Sequence, residues 1–278
     1  MESKDWTPRR RIENEYRSLI DRLLQKYFAL PDSATLGEIT EALVNFGNVS
    51  RLFEDAATYI ASRMATQLRV SNARSWREAA RVGSRGREIY NALRREMGTR
   101  VGARVDEIVR ENAQLISSIP FDVRESVNNE IARMEREGLR PEAIAKEIRQ
   151  CVPELTKTRA RLIARTETSK AATALTQARS EDLGILAYVW ETSRDARVRP
   201  SHALMQGVIV FWADPPNPER LAREANVRHG PYQAGQIFNC RCDSYPILRP
   251  ESLSWPMKVY WQGRIRSVTL SKFRQLSY

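Results

Sequence analysis

Along the first half of the chain, apolar residues recur at steps of three and four. In "TPRRRIENEYRSLIDRLLQKYFAL" the residues Ile12, Tyr16, Leu19, Leu23 and Tyr27 form one stripe, which predicts an amphipathic helix. Thr7 is its candidate N-cap, and Pro8 suits the first helical position. Pro31 ends the helix by disfavouring helical geometry at Leu30. Further helical patterns run from about Leu36 to Val70, from Ser75 to Met97 and from Arg100 to Ser117. "SIPFDVRESVNNEIARMEREGLRPEAIAKEIRQ" reads as a helical hairpin, with Pro120 near the start of one arm, Gly138 after it and Pro141 opening the other. A long Ala-rich helix then spans roughly Lys157 to Leu183.

After Gly184 the period changes. "ILAYVWET" and "GVIVFWAD" are β-branched and aromatic runs of strand length. "MKVYWQGRIRSVTL" predicts a hairpin turning at Gln262-Gly263, where glycine supplies positive φ. Between them, residues 213–236 hold Pro215, Pro216, Pro218, Pro231, Gly230 and Gly235, an irregular loop long enough to need something that fixes it. The predicted class is α+β: a mostly helical N-terminal half, then a small α+β module with a long helix and a short antiparallel sheet. The expected organisation is a helical region 1–118, a module 119–248 and a basic C-terminal hairpin and tail 249–278.

Composition narrows the function classes. Hydrophobic residues make up 42% and charged residues 28%, as in soluble globular proteins, so wholesale disorder is not expected. No apolar run approaches the roughly 20 residues that span a bilayer. The N-terminus lacks the apolar core of a signal peptide, and three cysteines fit free thiols in a reducing cytoplasm. The net charge of +11 is uneven: residues 1–150 hold 26 basic and 23 acidic side chains, whereas 151–278 hold 19 and 11. Arg74, Arg77, Arg81 and Arg85 fall on one helical face, and Arg264, Arg266, Lys272 and Arg274 lie in the tail. A solvated surface is the better explanation of any single charge run, but two separate basic blocks in one chain make both sets candidate contacts for phosphates of double-stranded DNA.

The densest chemistry lies in "SRDARVRPSH" and "NCRC". Thiolate and imidazole are the natural donors for a soft divalent metal. Cys240 and Cys242 sit on one side of an extended chain, because side chains alternate with period two. With Asp195 and His202 they could make a tetrahedral zinc clip, and His229, Asp243 and Cys151 are substitutes for the fourth ligand. The competing reading is two packed free thiols beside an Asp–Arg–His hydrogen-bond network. A Cys240–Cys242 disulfide would close a small strained ring. A Cys–His nucleophile or a nuclease site would need an open electropositive cleft.

Taken together, the motifs "IARTET" (163–168), an aromatic strand with Trp190, Asp195-x-Arg197-x-Arg199-x-x-His202, Gly207 and Asn239-Cys240-Arg241-Cys242 resemble the phage Mu F-like minor head protein, or head morphogenesis, family. The resemblance covers about Ile119 to Leu248; Gly235 departs from it in lacking an adjacent proline. It implies a structural head component with no catalytic residues, Arg165, Glu167, Arg197, Arg199, Asn239 and Arg241 being motif residues. Arg165 is expected to pair with a carboxylate such as Asp195 or Glu191. The implied partners are the phage portal protein, the major capsid protein and packaged DNA, at the interior of the virion head near the portal, with no membrane and no small-molecule substrate. The alternatives are a DNA-processing nuclease and an internal scaffold that leaves before maturation.

Overall fold

The computed structural model describes residues 6, 8, 10–46, 48–82, 85–225, 227 and 229–276. The predicted cap Thr7 lies outside them. Helices α1 (Arg10–Tyr27), α2 (Leu36–Phe46), α3 (Arg51–Val82), α4 (Gly86–Arg95), α5 (Arg100–Arg136) and α6 (Pro141–Asp182) fill the first part. They are followed by β1 (Ala187–Glu191), α7 (Pro200–Leu204), β2 (Ile209–Phe211), α8 (Pro218–Leu221), β3 (Asp243–Pro246), β4 (Met257–Trp261), β5 (Arg264–Val268) and α9 (Leu270–Leu276). The α+β class holds.

Element boundaries differ from the sequence reading where a cap or a buried face overrides a local signal. The stretch 36–70 is two helices, not one. Thr35 and Glu38 form a reciprocal capping box that starts α2, and Ser50 Oγ accepts from Phe53 N at 3.3 Å to start α3. Conversely, Pro120 and Pro153 lie inside α5 and α6, which run through them. Each proline lacks an N–H and crowds the preceding turn. Ile116, Ile119, Val123 and Val127 around Pro120 are all buried, so packing outweighs that cost and the predicted hairpin arms are parts of longer helices. In α1 the buried positions are Ile12, Tyr16, Ile20 and Leu24, while Leu19, Leu23 and Tyr27 flank the stripe.

The chain forms two compact units, each discontinuous in sequence. The helical unit comprises residues 10–65 and 107–165. Within it Tyr16 Oη donates to Asn112 Oδ1 at 2.8 Å in the interior, and Arg149 binds the carbonyl of Ala34. The second unit comprises residues 1–9, 66–106 and 166–278 and holds the sheet.

Strand order is β3-β1-β2-β4-β5. β1 pairs antiparallel with β2 and β3, and β4 with β5, but β2 and β4 run parallel. The sheet is therefore mixed, where a wholly antiparallel one was expected. The long connection from Phe211 to Met257 supplies the crossover that a parallel pair requires. The β4–β5 hairpin turns where predicted, with Gln262 and Gly263 at φ 45° and 81°. The second unit also buries Arg179, which binds Glu96 Oε2 at 2.7 Å, the side chain of Asn72 and the carbonyl of Arg69. Arg69 pairs with the other Glu96 oxygen at 2.7 Å, so two guanidiniums share one carboxylate. Replacing Glu96 by alanine strands the buried Arg179 charge and should cost about 3–5 kcal/mol, read as a lower denaturant midpoint.

Candidate functional site

The site begins with the second half of α6. Its small polar residues face an irregular segment, 229–242, that would otherwise leave backbone groups unpaired in the interior. Thr166 Oγ1 accepts from Asn239 N at 3.1 Å, and Thr173 Oγ1 donates to Ala234 O at 2.7 Å. Gly235, at φ 84°, packs so closely that a Cβ there would lie 2.7 Å from Thr173 Oγ1 and 2.8 Å from Ser169 Oγ. On the sheet side, Tyr188 Oη donates to Gln233 Oε1 at 2.9 Å and accepts from Ala234 N at 3.1 Å. Gln233 Nε2 donates to Trp212 O at 2.7 Å. Burial pushes the Tyr188 phenol well above its ordinary range, so it stays a neutral donor. These bonds fix the loop whose length called for an anchor.

Cys240 and Cys242 lie on the inner side of the chain just before β3, each 3% exposed. They join Tyr188, Trp190, Met205, Val210 and Tyr232 in a hydrophobic cluster. Both are free thiols. His202, on α7, turns its Nδ1 toward them, 3.5 Å from Cys240 Sγ and 3.4 Å from Cys242 Sγ. Its Nε2 meets Tyr232 Oη at 2.9 Å, and Tyr232 Oη donates to Glu219 Oε1 at 2.6 Å. Burial, and next the adjacent Glu219, raise the Tyr232 pKa. Within the thiol pair the pKa of Cys240 is pulled down, first by the hydrogen bond from Cys242, while that same contact and burial push Cys242 up.

Asp195 is not part of this group. Its carboxylate is exposed at the rim, gripped at both oxygens by Arg241, with Oδ1 also accepting from Arg197 N at 2.9 Å. Arg241, between the two cysteines, points away from them by strand alternation. Among the described residues, His202, Cys240 and Cys242 alone form a cluster with metal-ligand chemistry, so Cys151, His229 and Asp243 are outside it as well. These three could hold a metal ion. Arg199 donates to Phe238 O at 2.9 Å and its guanidinium lies 4.6 Å over the Phe238 ring, a cation–π clamp on the same loop. A cavity of about 120 Å³ opens beside the cluster, bordered by Ser193, Arg197, Arg199, Asn239 and Arg241.

The other residues singled out from sequence lie elsewhere. Arg165 pairs with Glu13 at 3.5 Å within the helical unit, not with Asp195 or Glu191, which are held by Arg241 and Arg194. Glu167 is buried and pairs with Lys170 at 2.8 Å, a one-turn partner. Arg74, Arg77 and Arg81 are exposed on α3, Arg81 paired with Glu78 at 3.3 Å. Arg85 leaves their row: α3 ends at Val82, and Arg85 binds Glu88 and the Leu183 carbonyl at the end of α6. Arg264, Arg266, Lys272 and Arg274 are exposed on β5 and α9, with Arg274 on Glu251. Tyr232 and Glu219 were missed, because a tyrosine and a glutamate in a polar loop carry no spacing signal.

The segment that carries this helix–loop–sheet arrangement is similar in sequence to a known family. Residues 125–245 match the family model of phage Mu protein F like protein. Over that segment the chain is similar to that family. The match suggests phage head morphogenesis, a structural rather than a catalytic class. A Haemophilus influenzae chain named only as an uncharacterized protein is 37% identical over 145 residues, which is 52% of this chain. The chain spans about 30% of that relative's length. No solved structure matches significantly. No helix among the described residues is long and apolar enough to cross a membrane. The Mu F-like motifs thus acquire structural meaning: "IARTET" supplies Thr166 to the loop, and "NCRC" supplies the two inward thiols and the rim arginine.

Two outcomes follow for the Mu F-like segment. Gly235→Ala combines strained positive φ with overlap against α6 and should cost on the order of 2–4 kcal/mol in a denaturant melt. Arg241 holds the Asp195 pKa below its unfolded value, so the pair's stabilisation is fully present above about pH 4 and is lost as pH falls through the lowered folded value. Asp195→Asn should therefore flatten the acid side of the stability–pH curve, measured between pH 5 and the acid transition.

Proposed function

We propose that this chain is a minor head protein of a tailed bacteriophage that acts by binding, docking on the portal and the inner face of the capsid beside packaged DNA. The observation that carries this reading is the coincidence of the Mu F-like match with a segment whose motif residues bond to one another. Thr166 holds Asn239 and Asp195 holds Arg241, while Arg199 holds Phe238, the residue just before the motif. Residues spent on holding a loop in place suit a docking module better than a reaction centre.

Two kinds of surface supply the contacts in this reading. Leu52 and Tyr59, two turns apart on α3, are 81% and 61% exposed, two large side chains on one side of the helix open to a protein partner. The exposed arginines of α3 and β5 suit phosphates. On an edge strand such as β5, arginines also discourage unwanted strand pairing, so their DNA role has to be measured separately.

Separate pull-downs against portal protein, major capsid protein and double-stranded DNA test the proposal. Portal should retain the chain, and Leu52→Glu with Tyr59→Glu should weaken retention at least tenfold. DNA retention should fall steeply with salt. Replacing Arg74, Arg77, Arg81, Arg264 and Arg266 with glutamine should lower the log–log salt slope by about 0.9 for each phosphate no longer neutralised. Retention by none of the three, or cleavage of DNA in the presence of divalent ions, would overturn it, the latter in favour of a nuclease.

A further inference from the structure

We infer that His202, Cys240 and Cys242 form a binding site for a soft divalent metal ion of the zinc class, with the fourth corner of its tetrahedron open to the adjoining cavity. The inference is independent of the head-assembly reading.

Distances carry the first part. A tetrahedral zinc with sulfur ligands at about 2.3 Å and nitrogen at about 2.05 Å separates sulfur from nitrogen by about 3.5 Å, against about 3.8 Å in a planar three-ligand site. Nδ1 of His202 lies 3.5 and 3.4 Å from the two sulfurs. Packed thiols explain this less well. A chain of thiol hydrogen bonds, Cys242 to Cys240 to Nδ1, uses the one imidazole lone pair for Cys240 and gives the 3.4 Å approach of Nδ1 to Cys242 Sγ no role, whereas a metal ion between the three atoms meets each of them separately.

The surroundings supply the second part. Tyr232 Oη gives its proton to Glu219, so its oxygen must accept from His202 Nε2–H. That bond leaves the Nδ1 lone pair aimed at the sulfurs. Metal-bound histidines are oriented in this way, by a carboxylate acting directly or through a bridging group. Cys242 N donates to Cys240 Sγ at 3.4 Å, support for a sulfur carrying negative charge. Binding releases one proton from each thiol, and two thiolates with one divalent cation sum to zero charge. A neutral centre suits a pocket walled by Trp190 and Tyr232, which a bare thiolate pair would not. Asp195 is engaged by Arg241, so water completes the coordination from the side lined by Ser193 and Asn239.

Elemental analysis and cobalt substitution of the full chain test this. The purified protein should hold about one zinc per chain, or take up one equivalent after chelation. The cobalt-loaded form should show thiolate-to-cobalt charge transfer in the near ultraviolet with the strong visible bands of four-coordinate cobalt. Cys240→Ser and Cys242→Ser should lose the metal. Tyr232→Phe, which keeps all three ligands, should weaken affinity about 10–100-fold against a chromophoric chelator. Circular dichroism establishes that each variant is folded, and the wild-type titration stands even if the serine variants are not. A folded wild type that takes up neither zinc nor cobalt, or a weak octahedral cobalt spectrum, would overturn the site. Unchanged affinity in Tyr232→Phe would overturn the tyrosine–glutamate support.

Discussion

An irregular segment that passes through a hydrophobic cluster must find a partner for every backbone polar group it buries, and segment 229–242 meets this constraint on two sides. Thr166 and Thr173 of α6 take one set of groups, and Tyr188 of β1 with Gln233 takes another. The close approach at Gly235 is what brings α6 within hydrogen-bonding reach. Without these bonds the loop would swing free of the helix, and the paired cysteines would not face His202. The position of the site and the burial of its thiols both follow from this clamp.

The same clamp gives the Mu F-like motifs a physical reading. Their residues that bond across the fold come from stretches far apart in sequence: Thr166 of α6 meets Asn239, Asp195 in the turn before α7 meets Arg241, and His202 of α7 meets both thiols. Alternation along residues 240–242 separates two jobs over three positions: the thiols go inward and Arg241 goes outward to Asp195. Charge at the rim and apolar surface within leave arginines outside and the thiols, His202 and aromatic rings inside.

Periodicity carried most of the secondary structure. The helical half, the strand runs and the Gln262-Gly263 turn were legible because each rests on a local signal: a 3.6-residue stripe, β-branched runs, a glycine at positive φ. Pro120 misled because its local cost is outweighed by the burial of Ile116, Ile119, Val123 and Val127 around it, which becomes visible only once the helix is packed. The inward pairing of Cys240 and Cys242 was legible from a period of two. The exclusion of Asp195 was not, since nothing at residue 195 reveals that Arg241 will hold it. Glu219 and Tyr232 were invisible for the same reason. Arg85 shows the converse error, in which a regular spacing continued on paper past the point where α3 ends.

Native-state hydrogen exchange along residues 229–242 tests the clamp most directly. If α6 and β1 hold this segment, the amides of Ala234 and Asn239 exchange as slowly as those of β1 and open only with the surrounding unit. Exchange of these two amides at the rate of an unprotected surface loop, while β1 remains protected, would contradict the account.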